Sequence, residues 1–199
     1  MTDPLADVPR ETIEKLKEFR ALLVAESERQ NLVSAASLEK AWQRHIVDSA
    51  QLLCLAPPGA GWADIGSGAG LPGIVLACLT DAPVRLIEPR RLRAEFLRRA
   101  VSELGLRNAS VELDKAERVS GISDVITARA VAPLDRFLGM TAHLSHPGTI
   151  WVLPKGRSAK SELAQARLNW HCAAREVPSL TDPEAIILVL TQVGAKRRR

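Results

Sequence analysis

The chain has 199 residues, of which 46% are hydrophobic and 25% charged, with a formal net charge of +4. This is the make-up of one globular domain with a sizeable core; no apolar run approaches the ~20 residues of a membrane span, and the polar start lacks the basic-then-apolar layout of a signal peptide. Three widely spaced cysteines, Cys54, Cys78 and Cys172, argue against a disulfide framework, form no CxxC zinc motif, and favour a cytoplasmic location.

In chain order, Pro9-Arg10-Glu11 opens a helix in which Ile13, Leu16, Phe19, Leu22 and Leu23 recur at helical spacing. A second helix is predicted over residues 38–55, with Trp42, Ile46, Leu52 and Leu53 as core positions; Pro57-Pro58-Gly59 ends it. Beyond Gly61 short apolar runs alternate with helical ones. Strands are predicted at residues 62–65, 84–87, 110–113, 124–127, 149–153, 173–177 and 186–190, and helices at 71–79, 91–104, 134–143 and 158–168. Such alternation implies an α/β domain with a mostly parallel sheet and helices on both faces. The last two strands have no helix between them and are expected to form an antiparallel hairpin. The expected organisation is an N-terminal helical extension over residues 1–58, the α/β domain over 59–193 and a basic tail over 194–199. Seven strands ending in a hairpin resemble the plan of the class I methyltransferase fold, which is Rossmann-like.

The segment from Trp62 to Gly73, WADIGSGAGLPG, starts as a strand and runs into a helix. Glycines at such a turn let backbone approach a ligand closely, and the N–H groups of the following helix face it. Pro72 suits the first turn of that helix. Gly68, Gly70 and Gly73 fit the G-x-G-x-x-G spacing of dinucleotide sites. The strand ends near Ile65, however, so the first glycine of the turn is Gly66. In that register the pattern Asp64-x-Gly66-x-Gly68-x-Gly70 resembles the D-x-G-x-G-x-G loop that binds S-adenosyl-L-methionine. Glu88, 22 positions after Gly66, follows the next strand and can accept both hydroxyls of a ribose; NAD enzymes place a carboxylate in the same way, so it does not separate the two cofactors. Gly66, Ser67, Gly68 and Glu88 are thus candidate cofactor residues, with Ala116-Glu117 beside the adenine and Arg129 against the methionine carboxylate or the O6 of a guanine.

Asp124-Val125-Ile126-Thr127-Ala128-Arg129-Ala130 replaces the Asn/Asp-Pro-Pro-Tyr/Phe motif of many amino-group methyltransferases, and the chain has no tyrosine. This argues against adenine-N6 chemistry, which sandwiches a flipped base with that aromatic. His143 and His146 have no third partner for a metal. His45 reads as a buried, hydrogen-bonded histidine on a helix, and Trp62 and Trp151 as packing residues.

Charge divides the chain. Residues 1–84 hold 7 Lys+Arg against 11 Asp+Glu, a balance of −4, which leaves 20 against 12, or +8, for residues 85–199. A basic half suits a polyanionic partner, although solvated surface charge gives the same pattern. Arg90, Arg91, Arg93, Arg98 and Arg99 form either an RNA-facing patch or the solvated face of a helix. Lys155 ends a strand and can hold phosphate or guanine. The tail Lys196-Arg197-Arg198-Arg199 can touch RNA electrostatically.

Taken together, Asn31-Leu32-Val33-Ser34, Arg44-His45-Ile46-Val47-Asp48-Ser49, the loop from Asp64 to Gly73, Thr127-Ala128-Arg129-Ala130-Val131-Ala132 and Leu153-Pro154-Lys155-Gly156 resemble the GidB family, also called RsmG. Ser34 stands where many relatives carry threonine. The resemblance implies a class I fold with N-terminal helices and methylation of guanine N7 in the decoding-region loop of 16S rRNA. It also implies cofactor contacts at Gly66, Leu71, Ala116, Glu117 and Arg129. No catalytic acid or base is assigned, because N7 carries a free lone pair. The partner expected is 16S rRNA or the small ribosomal subunit, with no metal and no membrane, and with the protein a monomer. Two other readings stay open on the sequence: an NAD-dependent oxidoreductase resting on Gly68, Gly70, Gly73 and Glu88, and a non-catalytic RNA-binding module with a vestigial pocket.

Overall fold

Alternate residues along the central strands point to opposite sides of the sheet, and both sides are apolar. Trp62, Val84, Leu86, Val125 and Val152 belong to one buried cluster, and Ala63, Ile65, Ile87, Ile126 and Trp151 to the other. Strands buried on both faces read as continuous apolar runs, which is why they stand out in the sequence. A computed structural model describes residues 3–34 and 40–196. Its strands are β1 (Trp62–Ile65), β2 (Val84–Ile87), β3 (Ala109–Glu112), β4 (Val125–Thr127), β5 (Ile150–Lys155), β6 (Trp170–Pro178) and β7 (Ile186–Ala195).

They form one sheet in the order β3-β2-β1-β4-β5-β7-β6. The first five run parallel, and β7 is antiparallel to both β5 and β6. The mostly parallel sheet with a C-terminal hairpin is therefore the one expected. The hairpin strands are longer than predicted. β6 mixes half-buried and exposed residues over nine positions, with none fully buried, and only residues 173–177 were predicted as strand.

Among the described residues, six helices cover the sheet, apart from short 3₁₀ turns. On the first face lie α1 (Arg10–Gln30), α2 (Trp42–Val47 continued by Asp48–Ala50), α3 (Gly73–Leu79) and α4 (Arg91–Glu103). On the second lie α5 (Leu134–Thr141) and α6 (Ala159–Asn169). Leu16, Phe19 and Leu23 of α1 are fully buried in the same cluster as Val75 of α3 and Trp62 of β1. Asn31 ends α1 in the left-handed region at φ 50°, its N–H bonded to Ser27 O at 3.1 Å.

The helix predicted over residues 38–55 is a correction. Residues 35–39 lie outside the described part. Trp42–Val47 is a π-helical turn in which the Asp48 N–H reaches back to Gln43 O. A short α-helical turn follows, then a separate 3₁₀ turn at Leu53–Leu55. Ser49 Oγ donates to His45 O at 2.6 Å, a side-chain bond that competes for helix carbonyls. The helix predicted from residue 71 begins at Gly73, so Pro72 precedes it instead of sitting in its first turn. Gly70 at φ 80° holds the preceding residues in a turn.

β1 pairs with β2 on one side and β4 on the other, so the chain reverses its winding direction at β1. A crevice opens there beyond the strand ends, the usual ligand position in open α/β sheets. Close packing beneath it depends on Gly73: a Cβ added there would lie 2.2 Å from Leu86 Cδ2 and 2.6 Å from Asp64 Oδ2. Gly73→Ala is expected to lower unfolding free energy in urea by about 1–3 kcal/mol through overpacking. Gly156→Ala, whose added Cβ meets nothing within 4 Å, should stay within about 0.5 kcal/mol.

Candidate cofactor and substrate site

The loop after β1 is fastened to the end of β2. Gly66 and Ser67 donate their N–H groups to Ile87 O at 2.8 and 3.1 Å, and Gly68 donates to Glu88 Oε2 at 2.8 Å. The other Glu88 oxygen accepts the Arg90 N–H at 2.9 Å. Glu88 is 3% exposed, so both bonds fix a carboxylate that retains acceptor lone pairs at the rim of the crevice. Asp64, fully buried at the end of β1, accepts the Gly73 N–H on Oδ2 at 3.0 Å, while its Oδ1 has no hydrogen-bond partner.

Two cavities meet at Gly66. One, of about 410 Å³, is lined by Gly66, Ser67, Gly68, Leu71, Glu88, Arg90 and Arg129 among others. The other, of about 220 Å³, includes Gly66, Ala116 and Glu117. Val131 borders both. A Cβ on Gly66 would lie 2.7 Å from Val131 Cγ2, and Gly66 also sits at φ 67°, so only glycine serves there.

A third cavity, of about 450 Å³, adjoins the first across Arg129, Ala130 and Val131. Asp48, Lys155 and Glu162 line it. Arg129 Nη1 lies 3.6 Å from Asp48 Oδ2, 3.4 Å from Arg44 O and 3.4 Å from His45 Nδ1. Burial pulls the guanidinium below its ordinary value, and the carboxylates of Asp48 and Asp64 oppose that; arginine stays charged regardless. Ala130 adopts φ 57°, a left-handed strain in a non-glycine residue at the wall between cavities.

Residues 12–186 match the sequence profile of GidB, described as rRNA small subunit methyltransferase G. The chain belongs to the GidB family. It is 46% identical over 204 aligned positions to the ribosomal RNA small subunit methyltransferase G of Rhizorhabdus wittichii, covering 96% of this chain and 93% of that one. It is also 46% identical to the protein of that name from Novosphingobium aromaticivorans, over 94% and 83% of the two chains. The fold is shared with a SAM-dependent methyltransferase from Aquifex aeolicus, with a TM-score of 0.62 at 15% identity over 82% of this chain and 96% of that one. A ribosomal protein L11 methylase from Lactobacillus delbrueckii subsp. bulgaricus gives a TM-score of 0.61 at 14% identity, over 75% and 78%.

In this GidB chain the eight residues expected at the cofactor, Gly66, Ser67, Gly68, Leu71, Glu88, Ala116, Glu117 and Arg129, all line the two cavities that meet at Gly66. The expected RNA residues are more scattered. Arg90 lines the first cavity, whereas Arg91 lines none of the three and pairs with Glu95 at 3.3 Å. Lys155 is largely buried, donating to Glu162 Oε2 at 2.8 Å and Ala132 O at 3.3 Å, so it is not a free phosphate ligand. Arg99 is tied to Glu26 and lies over Phe96, which makes it a packing residue. Trp62 and Trp151 are buried packing residues as expected. His143 and His146 turn to different partners, Val119 O and Asp124 Oδ1. Lys196 bonds back to Arg167 O, and the rest of the basic tail lies outside the described residues. Val131 and Asp48 line the cavities without having been assigned a role, although both lie in family motifs, and Arg93, read only as part of the basic patch, lines the first cavity.

His45 is buried, and burial followed by the Arg129 charge pushes its imidazole down to about 4. Neutral at pH 7, it accepts from Arg129 on Nδ1, which leaves Nε2 as a buried N–H without a partner. Burial pushes Asp64 up to about 7 against its bonds to Gly73 and Ser67. Asp64 therefore adds stability that is complete below about pH 4 and gone above about pH 7; His45 adds stability that is present above about pH 6.5 and lost as pH falls through about 4. The two slopes oppose each other. Thermal or urea melts across this range should show Asp64→Asn gaining on wild type as pH rises from 4 to 7. His45→Gln should gain as pH falls from 6.5 to 4. Each difference should be on the order of 2 kcal/mol, and parallel curves would contradict both assignments.

Proposed function

We propose that this chain transfers a methyl group from S-adenosylmethionine to N7 of a guanine in the decoding-region loop of 16S rRNA. One observation carries this function: a chain of the GidB family holds a fixed Glu88 carboxylate beside a glycine-loop cavity, joined through Arg129 and Val131 to a further cavity large enough for a base.

The residues fit the cofactor. Glu88 would accept the ribose hydroxyls on lone pairs left by Gly68 and Arg90. Gly66, Ser67, Gly68 and Leu71 would surround the methionine portion, Ala116 and Glu117 would meet the adenine, and Arg129 would pair with the amino-acid carboxylate. The orphaned Asp64 Oδ1 marks a place where a donor is wanted behind the loop. When bound, S-adenosylmethionine supplies an electrophilic methyl on a sulfonium.

Guanine N7 has an in-plane lone pair and attacks without losing a proton. The chain then has only to align nucleophile, methyl carbon and sulfur. Its titratable groups agree with that. His45 turns its acceptor nitrogen to Arg129, and Asp64 is sealed beneath the loop, so neither serves as a general base. Arg90, Arg91 and Arg93 contact the RNA backbone in this mechanism, and the protein works in the cytoplasm as a monomer.

The test is transfer of label from S-adenosylmethionine to 16S rRNA, mapped by borohydride–aniline cleavage at N7-methylguanosine. A single cleavage is expected. Glu88→Ala should lower kcat/KM for the cofactor about 10- to 100-fold, chiefly through KM. Label at another atom would overturn the assignment, and tighter binding of NADH than of S-adenosylhomocysteine would favour a dehydrogenase.

A further inference from the structure

The wall of the third cavity has a definite chemical order. Arg129, shared with the cofactor cavity, presents N–H donors. Asp48 stands beside it and uses its two oxygens differently. Oδ1 accepts from Thr181 Oγ1 at 2.6 Å and from Gln51 Nε2 at 2.9 Å, which fixes the plane of the carboxylate. Oδ2 has Arg129 at 3.6 Å, too long for a hydrogen bond, and so keeps lone pairs for a donor in the cavity. The other carboxylate on the wall, Glu162, is already committed. It accepts from Lys155 Nζ, from the Leu134 N–H and from Ser158 Oγ, bonds that outweigh the effect of burial and hold its carboxyl below the usual range.

Guanine carries the complementary order around its ring from the Hoogsteen to the Watson–Crick edge: the N7 lone pair, the O6 acceptor, then the N1–H and N2–H donors. With N7 toward the cofactor cavity, O6 falls to an Arg129 N–H that the cofactor carboxylate leaves free, since a guanidinium has five donors, and the two base donors fall to Asp48. Adenine inverts this. Its N6 amino group would face the guanidinium and its N1 lone pair the carboxylate, both repulsive, even though adenine also offers an N7.

We propose, building on the guanine-N7 function above, that the third cavity receives the target base and that the Asp48 carboxylate selects guanine by accepting the donors of its Watson–Crick edge. Asp48 is then a specificity residue that touches the substrate, and α2 is the element that brings it there.

The test compares guanosine with inosine at the target position of reconstituted small-subunit rRNA; inosine lacks only the 2-amino group. Wild type is expected to methylate the inosine substrate about tenfold less efficiently in kcat/KM. Asp48→Asn should be about 10- to 100-fold slower on guanosine and should treat the two substrates alike within about twofold. A residue that only propped up the fold would slow both substrates and leave their ratio unchanged, so retention of the wild-type ratio by Asp48→Asn overturns the proposal. Equal rates for wild type on the two substrates also overturn it, with no variant needed. Absence of N7 methylation from both substrates instead removes the function on which the proposal stands.

Discussion

Three successive backbone N–H groups, those of Gly66, Ser67 and Gly68, end on the last carbonyl of β2 and on the carboxylate that follows it. Asp64 fastens the far end of the same loop through the Gly73 N–H. These bonds turn a glycine-rich stretch, which would otherwise be free to move, into a fixed wall. Bonds to a carboxylate are the stronger kind, about 1.5–3 kcal/mol each. The arrangement also brings two acidic groups, Glu88 and Asp64, close to the crevice, where burial pushes Asp64 up to about 7 and Arg129 opposes that rise. Arg93 and Arg129 are among the cations that line the same cavity.

Arg129 in turn depends on the N-terminal part of the chain. Its neighbours Arg44, His45 and Asp48 all come from α2, at the π-helical turn and the short helix after it. A regular helix would present the Arg44 carbonyl and the His45 and Asp48 side chains differently. The extra residue in the turn therefore serves the site, a common association for π-bulges. α1 packs in the same apolar cluster as α2, α3 and β1, so the N-terminal segment is joined to the site through shared core as well as through Arg129.

How much of this was legible in the sequence depends on how local its cause is. The glycine loop and Glu88 could be placed because strand–turn–helix chemistry is written into consecutive residues. The strand positions and the mostly parallel sheet followed from short apolar runs alternating with helical ones; the order of the strands across the sheet did not, because it is set by contacts between distant segments. The break in α2 could not be read, since Trp42, Ile46 and Leu52 keep apolar spacing while Ser49 competes for a carbonyl. Lys155 looked like a free cation because its partner Glu162 lies on the next helix, and only the fold brings them to 2.8 Å. Val131 was passed over for a similar reason: a valine after a strand gives no sign that it will cover Gly66 and stand between two cavities.

A crystal structure with S-adenosylhomocysteine measures the decisive contact directly. The ribose hydroxyls should fall on Glu88, the adenine beside Ala116 and the amino-acid portion against the loop from Gly66 to Leu71, with the nucleoside lying across Gly66. Finding the nucleoside in another cavity, with Glu88 still bonded only to Gly68 and Arg90, would contradict the role given to the fastened loop.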